Sequence, residues 1–164
     1  MTDLARHLSA YADYHRDERN IATHMVGIPL IVLAIAVLAS RPGWTPAEGI
    51  VLTPAMLLSA AAALFYLRLD RRFGLVMAGL LALGCWAGVA IAGLPTAAWL
   101  AIGIGGFVAG WAFQFLGHYY EGRKPAFVDD LSGLIVGPLF VVTELAFLAG
   151  LRLEVKRSMA APAT

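Results

Sequence analysis

Residues Phe73–Tyr120 read FGLVMAGLLALGCWAGVAIAGLPTAAWLAIGIGGFVAGWAFQFLGHYY, a run without a single Asp, Glu, Lys or Arg. A bilayer-spanning helix takes about 20 apolar residues. The run therefore holds two spans and a turn, and Gly93-Leu94-Pro95-Thr96 supplies the turn. Outward from it, Ile21–Ser40 and Gly49–Leu67 also lack all four charged types, and Leu131–Gly150 contains only Glu144. The whole chain is 60% hydrophobic and 14% charged, with a mean hydropathy of +0.75. Soluble domains carry roughly a quarter charged residues, so this chain lacks the polar surface that water requires.

The expected fold is an all-α polytopic membrane bundle forming one domain over residues 1–164. It has an N-terminal interfacial helix over 1–19, four spans near 21–40, 49–68, 73–94 and 97–120, and a fifth apolar segment over 131–150. In the first helix Leu4, Leu8, Tyr11 and His15 share one face, while Asp3, Arg6, Asp13 and Asp17 occupy the other. Pro138, preceded by Gly137, interrupts the fifth segment, which reads as kinked or re-entrant. A net charge of +1 without a basic patch excludes a nucleic-acid binder, and the lone Cys85 excludes a disulfide framework.

Lys and Arg gather on the cytoplasmic side of membrane proteins. Arg6, Arg16 and Arg19 precede the first span, Arg68, Arg71 and Arg72 follow the second, and Arg123 and Lys124 follow the fourth. The N-terminus is thus expected in the cytoplasm, in the inner membrane of a bacterium or the endoplasmic reticulum of a eukaryote. This topology brings His24, at the start of the first span, and His118, at the end of the fourth, to one face. His15 lies just before the first span and joins them only if the chain bends near Asp17–Asn20, because nine residues of unbroken helix turn it half a circle away from His24. His7 falls on the polar side of the first helix and reads as surface.

Polar groups in a membrane segment are expensive and mark function by default. Trp111, Gln114, His118 and Glu121 form one stripe, and Asn20, His24 and Gly27 another; Gly103, Gly106, Gly110 and Gly117 make a smooth strip for close helix approach. Histidine with carboxylate three residues on is a spacing that lets both reach one ion, and imidazole with carboxylate suits Fe, Zn or Mn. Glu144 is a further ligand or supporting partner. Three other readings use the same residues. One is a b-type haem held by His24 and His118; another is a metal or lipid transporter; the last is a structural protein whose polar groups only lock helices.

The pattern Tyr11-x3-His15-x4-Asn20-x3-His24-x2-Gly27-x-Pro29, then Gln114-x2-Gly117-His118-x2-Glu121-x3-Pro125-Ala126, then Pro138-x-Phe140-x3-Glu144 resembles the 2-hydroxy fatty acid dioxygenase family. The resemblance runs from about Leu4 to Gly150. It implies a membrane-embedded Fe(II) dioxygenase that uses O2 to shorten long-chain 2-hydroxy fatty acids by one carbon. It implies His15, His24 and His118 as iron ligands, with Glu121 or Glu144 completing or orienting the shell and Asn20 and Gln114 beside it. Arg19, Arg123 or Lys124 would then pair with the substrate carboxylate, and membrane lipid would surround the acyl tail.

Overall fold

A computed structural model describes residues 2–48, 50–125, 128 and 131–160. Gly49, at the start of the second expected span, and Ala126, in the second motif, lie outside the described residues. Among the described residues there are seven helices and one two-stranded hairpin: α1 Asp3–Ala12, α2 Glu18–Leu38, β1 Trp44–Ala47, β2 Ile50–Leu52, α3 Pro54–Leu69, α4 Arg71–Ala92, α5 Thr96–Glu121, α6 Gly133–Leu148 and α7 Leu153–Met159. The chain divides into two compact units, Met1–Ile28 with Phe113–Thr164, and Pro29–Ala112.

In the first unit, α1 starts at Thr2, whose side chain accepts the Ala5 amide at 3.2 Å, and Asp3 complements the positive end of the helix. Its apolar stripe of Leu4, Ala5, Leu8 and Tyr11 is buried, and α1 packs on α6 and α7. The Ser9 hydroxyl donates to the Met159 carbonyl at 3.1 Å. The apolar face expected to lie in the membrane interface is therefore covered by protein. The helix also stops at Ala12 rather than 19, with Asp13 and His15 amides bonding back to Ser9 and Ala12 in a turn.

Helix α5 stops at Gly122, which takes a left-handed φ of 68° while its amide bonds the His118 carbonyl at 3.1 Å. Helix α6 continues through Pro138. The break comes later. Gly150 adopts φ 73° and the Leu151 amide reaches back five residues to the Ala146 carbonyl at 2.8 Å, so the helix closes as a left-handed glycine cap. Helices α6 and α7 meet there at 117°. Gly137 faces Tyr11 and Ile28; a Cβ on it would sit 3.0 Å from the Tyr11 hydroxyl and 3.2 Å from Ile28 Cδ1.

In the second unit, the stretch expected to begin a span at residue 49 instead pairs as the hairpin β1–β2, antiparallel with Trp44 opposite Leu52. Thr53 and Pro54 then start α3: the Thr53 side chain accepts the Met56 amide, and Pro54 fills a first-turn position whose N–H has no helical partner anyway. At 16 residues α3 is about 24 Å long, short of the roughly 30 Å apolar core of a bilayer. Asp70 caps α4, accepting the Arg72 and Phe73 amides at 2.9 Å each. Gly74 lets the α3–α4 turn close, since a Cβ there would lie 2.6 Å from the Leu67 backbone. The Arg41 guanidinium donates to the Ala92 and Leu94 carbonyls at the end of α4 and lies 4.6 Å over the Trp99 ring.

Helices α2, α4 and α5 are long and apolar enough to cross a membrane, and the bent pair α6–α7 raises the number to four if it counts as one span. Exposed Leu57, Leu75, Leu83 and Trp86 on α3 and α4 are more than half accessible, the outward apolar surface expected of helices in lipid.

Candidate metal centre

Three histidines from three pieces of chain meet inside the first unit. His15 comes from the elbow between α1 and α2, His24 from α2 and His118 from the last turns of α5. All three are buried. Each offers one ring nitrogen, and these nitrogens lie within 4.8 Å of one another. The ring centroids are 4.5 Å apart for His15 and His24, 4.9 Å for His24 and His118, and 5.2 Å for His15 and His118. The chain does bend, but at residues 13–17 rather than Asp17–Asn20, since α2 already starts at Glu18, so His15 sits in the elbow itself.

The local bonds fix the tautomers of two rings. His15 Nδ1 donates to the Tyr11 carbonyl at 2.7 Å, and His24 Nδ1 donates to the Asn20 carbonyl at 2.9 Å. A carbonyl only accepts, so both Nδ1 atoms carry hydrogen. In neutral rings the two Nε2 atoms are then bare acceptors, and they face each other at 3.1 Å. Burial holds the His15 pKa below its ordinary value and so favours the neutral ring, outweighing the Tyr11 carbonyl bond and the charge of Glu121, which both act to raise it. His118 Nδ1 is buried with no hydrogen-bond partner among the described residues.

Lone pair against lone pair is repulsive, and a cation between them removes the conflict. Two imidazole nitrogens each about 2.1 Å from one ion and at right angles around it lie about 3.0 Å apart, close to the observed 3.1 Å. A metal-bound histidine ordinarily donates its other N–H to a carbonyl or carboxylate, as His15 and His24 do here. The 3.1 Å spacing suits His15 and His24 to one small ion, and with His118 they form a group that could hold it.

The walls are aromatic. The Tyr11 ring stacks on His15 with centroids 4.1 Å apart and planes 10° from parallel, and Phe140 lies 4.9 Å from Tyr11 and 5.9 Å from His15. Sequence reasoning placed both residues in the motif without giving either a role; Tyr11 at i−4 from His15 was the available signal. Gly117 has the role its strip suggested. A Cβ on it would run into Thr23 Oγ1 and Asn20 Oδ1 and come 3.1 Å from His24 Nδ1, so only glycine lets α2 pass α5 this closely.

The remaining expected site residues fall in different places. Gln114 is buried one turn before His118, and its Nε2 has no partner among the described residues; the same holds for Asn20 Oδ1. Glu121 stands outside the histidine group, and its oxygens accept N–H groups from Arg16, Asp17 and Asn20. Glu144 is half-buried on α6, in the field of Lys156 and likewise outside the group. Arg19 pairs with Asp17 at 2.8 Å and covers the Tyr120 ring; its hydrogen bond brings the Asp17 pKa down to about 2. Arg123 donates to the Asp13 carbonyl at 2.9 Å and lies over Tyr14, and Lys124 is exposed. His7, expected at the surface, is half-buried and lines a small cavity of about 70 Å³ with Tyr11, Tyr14 and Ser132.

Comparison with known proteins agrees with the motif reading. Residues 1–148 match the Mpo1-like family, described as 2-hydroxy-palmitic acid dioxygenase Mpo1-like. The chain is also 29% identical over 161 residues to the 2-hydroxy-palmitic acid dioxygenase MPO1 of Saccharomyces cerevisiae, an alignment covering 97% of this chain and 88% of the yeast protein. No solved structure matches the chain.

Proposed function

This chain belongs to the Mpo1-like family, and from that premise we propose that it is an iron(II)-dependent membrane dioxygenase acting on long-chain 2-hydroxy fatty acids. The observation that carries the proposal is the buried triad His15, His24 and His118, whose ring nitrogens lie within 4.8 Å of one another. The reaction breaks the C1–C2 bond and oxidises C2 from alcohol to acid. With one O2 consumed, RCH(OH)COOH gives RCOOH, CO2 and H2O, which balances four electrons.

His15, His24 and His118 would hold the metal. Bound there, Fe(II) would supply Lewis acidity toward the adjacent hydroxyl and carboxylate of the substrate and a position for O2, the chemistry favoured by neutral imidazoles with open positions. The Tyr11 and Asn20 carbonyls orient two of the rings through their Nδ1–H groups. Burial among Tyr11 and Phe140 excludes bulk water from the His15 side. Gln114 offers its unpartnered Nε2–H to an oxygen of the bound acid. Arg123 and Lys124, just past the end of α5, meet the incoming carboxylate before it reaches the site, while the acyl tail stays in lipid.

The packing of the rings favours this over a b-type haem. Axial imidazoles stand on opposite faces of a flat macrocycle, and rings with centroids 4.5–5.2 Å apart leave no room for one between them. The N-terminus is assigned to the cytoplasm by the Lys and Arg bias. Metal analysis of the purified protein tests the proposal: iron near one per chain is expected, and a protein that neither carries nor takes up iron contradicts it.

A further inference from the structure

Glu121 follows His118 by three residues, a spacing that suggests a fourth ligand, yet its surroundings assign it another task. Oε1 accepts the Arg16 amide at 3.0 Å; Oε2 accepts the Arg16 amide at 3.0 Å, the Asp17 amide at 2.9 Å and the Asn20 side-chain amide at 2.9 Å. Two of these donors are main-chain groups of the elbow just before α2, where a carboxylate also meets the positive end of the helix. The elbow has no regular structure of its own, and His15 is the residue immediately before Arg16.

We infer that Glu121 is a positioning residue, not a metal ligand, and that this one carboxylate sets the relative placement of all three histidines. It shares the last turn of α5 with His118 and pins the elbow that carries His15. Through the Asn20 side chain it holds the residue whose backbone carbonyl orients His24 Nδ1. Each ligand thus has one short route to the same anion. The inference deepens the metal reading above and rests on it for the ligand role of the rings, but the ring orientations are measurable without metal.

The test uses the full chain in detergent, as wild type, E121A and E121Q, each labelled with ¹⁵N-histidine. In metal-free wild type, His15 and His24 are expected as Nδ1–H tautomers. E121A should release His15 to a mixture of tautomers and bind Co(II), used as the probe, about tenfold or more weakly with a changed visible spectrum, the size expected for loss of a group that supports a ligand. E121Q keeps one acceptor oxygen and should fall between the two; it decides the matter if E121A does not fold. Wild-type tautomers with wild-type Co(II) binding in the variants would overturn the inference. Wild-type tautomers with lost Co(II) binding would overturn it too, by making Glu121 a ligand. If wild type itself binds no Co(II), the metal reading fails, while released tautomers in E121A still uphold the positioning role.

Discussion

His15 and His24 present their Nε2 atoms to each other at 3.1 Å while each Nδ1 is bonded to a backbone carbonyl one helical turn earlier. Neither ring can turn to relieve this contact without losing its own carbonyl bond, which in a buried site costs roughly 1–3 kcal/mol. The proposed metal would relieve that contact, and several measurable consequences follow from the proposal.

Removing metal should lower thermal stability. A chelator leaves the facing lone pairs uncompensated, and anything that binds only the folded state stabilises by RT ln(1 + [L]/Kd). With iron at about 100 times its Kd the shift is near 2.7 kcal/mol, so the melting temperature should fall by several degrees on chelation and recover with Fe(II). A melting curve unmoved by chelator and by added Fe(II) would count against a metal site.

Single substitution of any ligand should abolish metal retention. His15→Ala, His24→Ala and His118→Ala each leave two imidazoles, too few to hold Fe(II) through purification. His24 is the most completely enclosed of the three, at 1% exposure, so its alanine variant also opens a cavity and should be the least stable. Metal content and melting temperature of the three variants check both statements.

Gly117→Ala should be worse than its size suggests. The added methyl meets Thr23 Oγ1 and Asn20 Oδ1, and overpacking of this kind costs typically 1–3 kcal/mol. Because the displaced residues flank His24, bound iron should fall together with stability. Gly79→Ala, where a Cβ meets nothing within 4 Å, is the control and should leave both unchanged.

Tyr11 separates the ring from its hydroxyl, because both variants keep the backbone carbonyl that His15 bonds. Tyr11→Phe keeps the ring stacked on His15 and should retain metal. Tyr11→Ala removes a buried aromatic that touches both His15 and Phe140, a loss of about 3–5 kcal/mol. Iron content after identical purification distinguishes the two.

Much of this is legible in the sequence. The uncharged run from Phe73 to Tyr120 contains α5 nearly whole and most of α4, and the alternation of Arg and Lys between spans brought His24 and His118 to one end. Helical phase alone showed that the chain must bend before His15 could join them. Other features were not readable, for physical reasons. The Glu121 carboxylate is satisfied by main-chain amides, which every residue has, so sequence could not distinguish it from a ligand. The end of α3 nearest residue 49 was misread because apolar residues suit a hairpin as well as a helix, and the Thr53 cap and Pro54 decide for a later start. Pro138 drew attention as a breaker, yet α6 runs through it and the turn falls at Gly150, whose left-handed φ of 73° suits glycine.

The central claim is tested most directly by turnover. Purified wild-type protein in detergent, loaded with Fe(II) under air, is given a long-chain 2-hydroxy fatty acid, and products are identified by mass beside the His24→Ala variant. The account predicts oxygen-dependent conversion to the acid one carbon shorter by wild type and none by the variant. Iron-loaded wild type that leaves the hydroxy acid intact, or a variant that converts it equally fast, would contradict it.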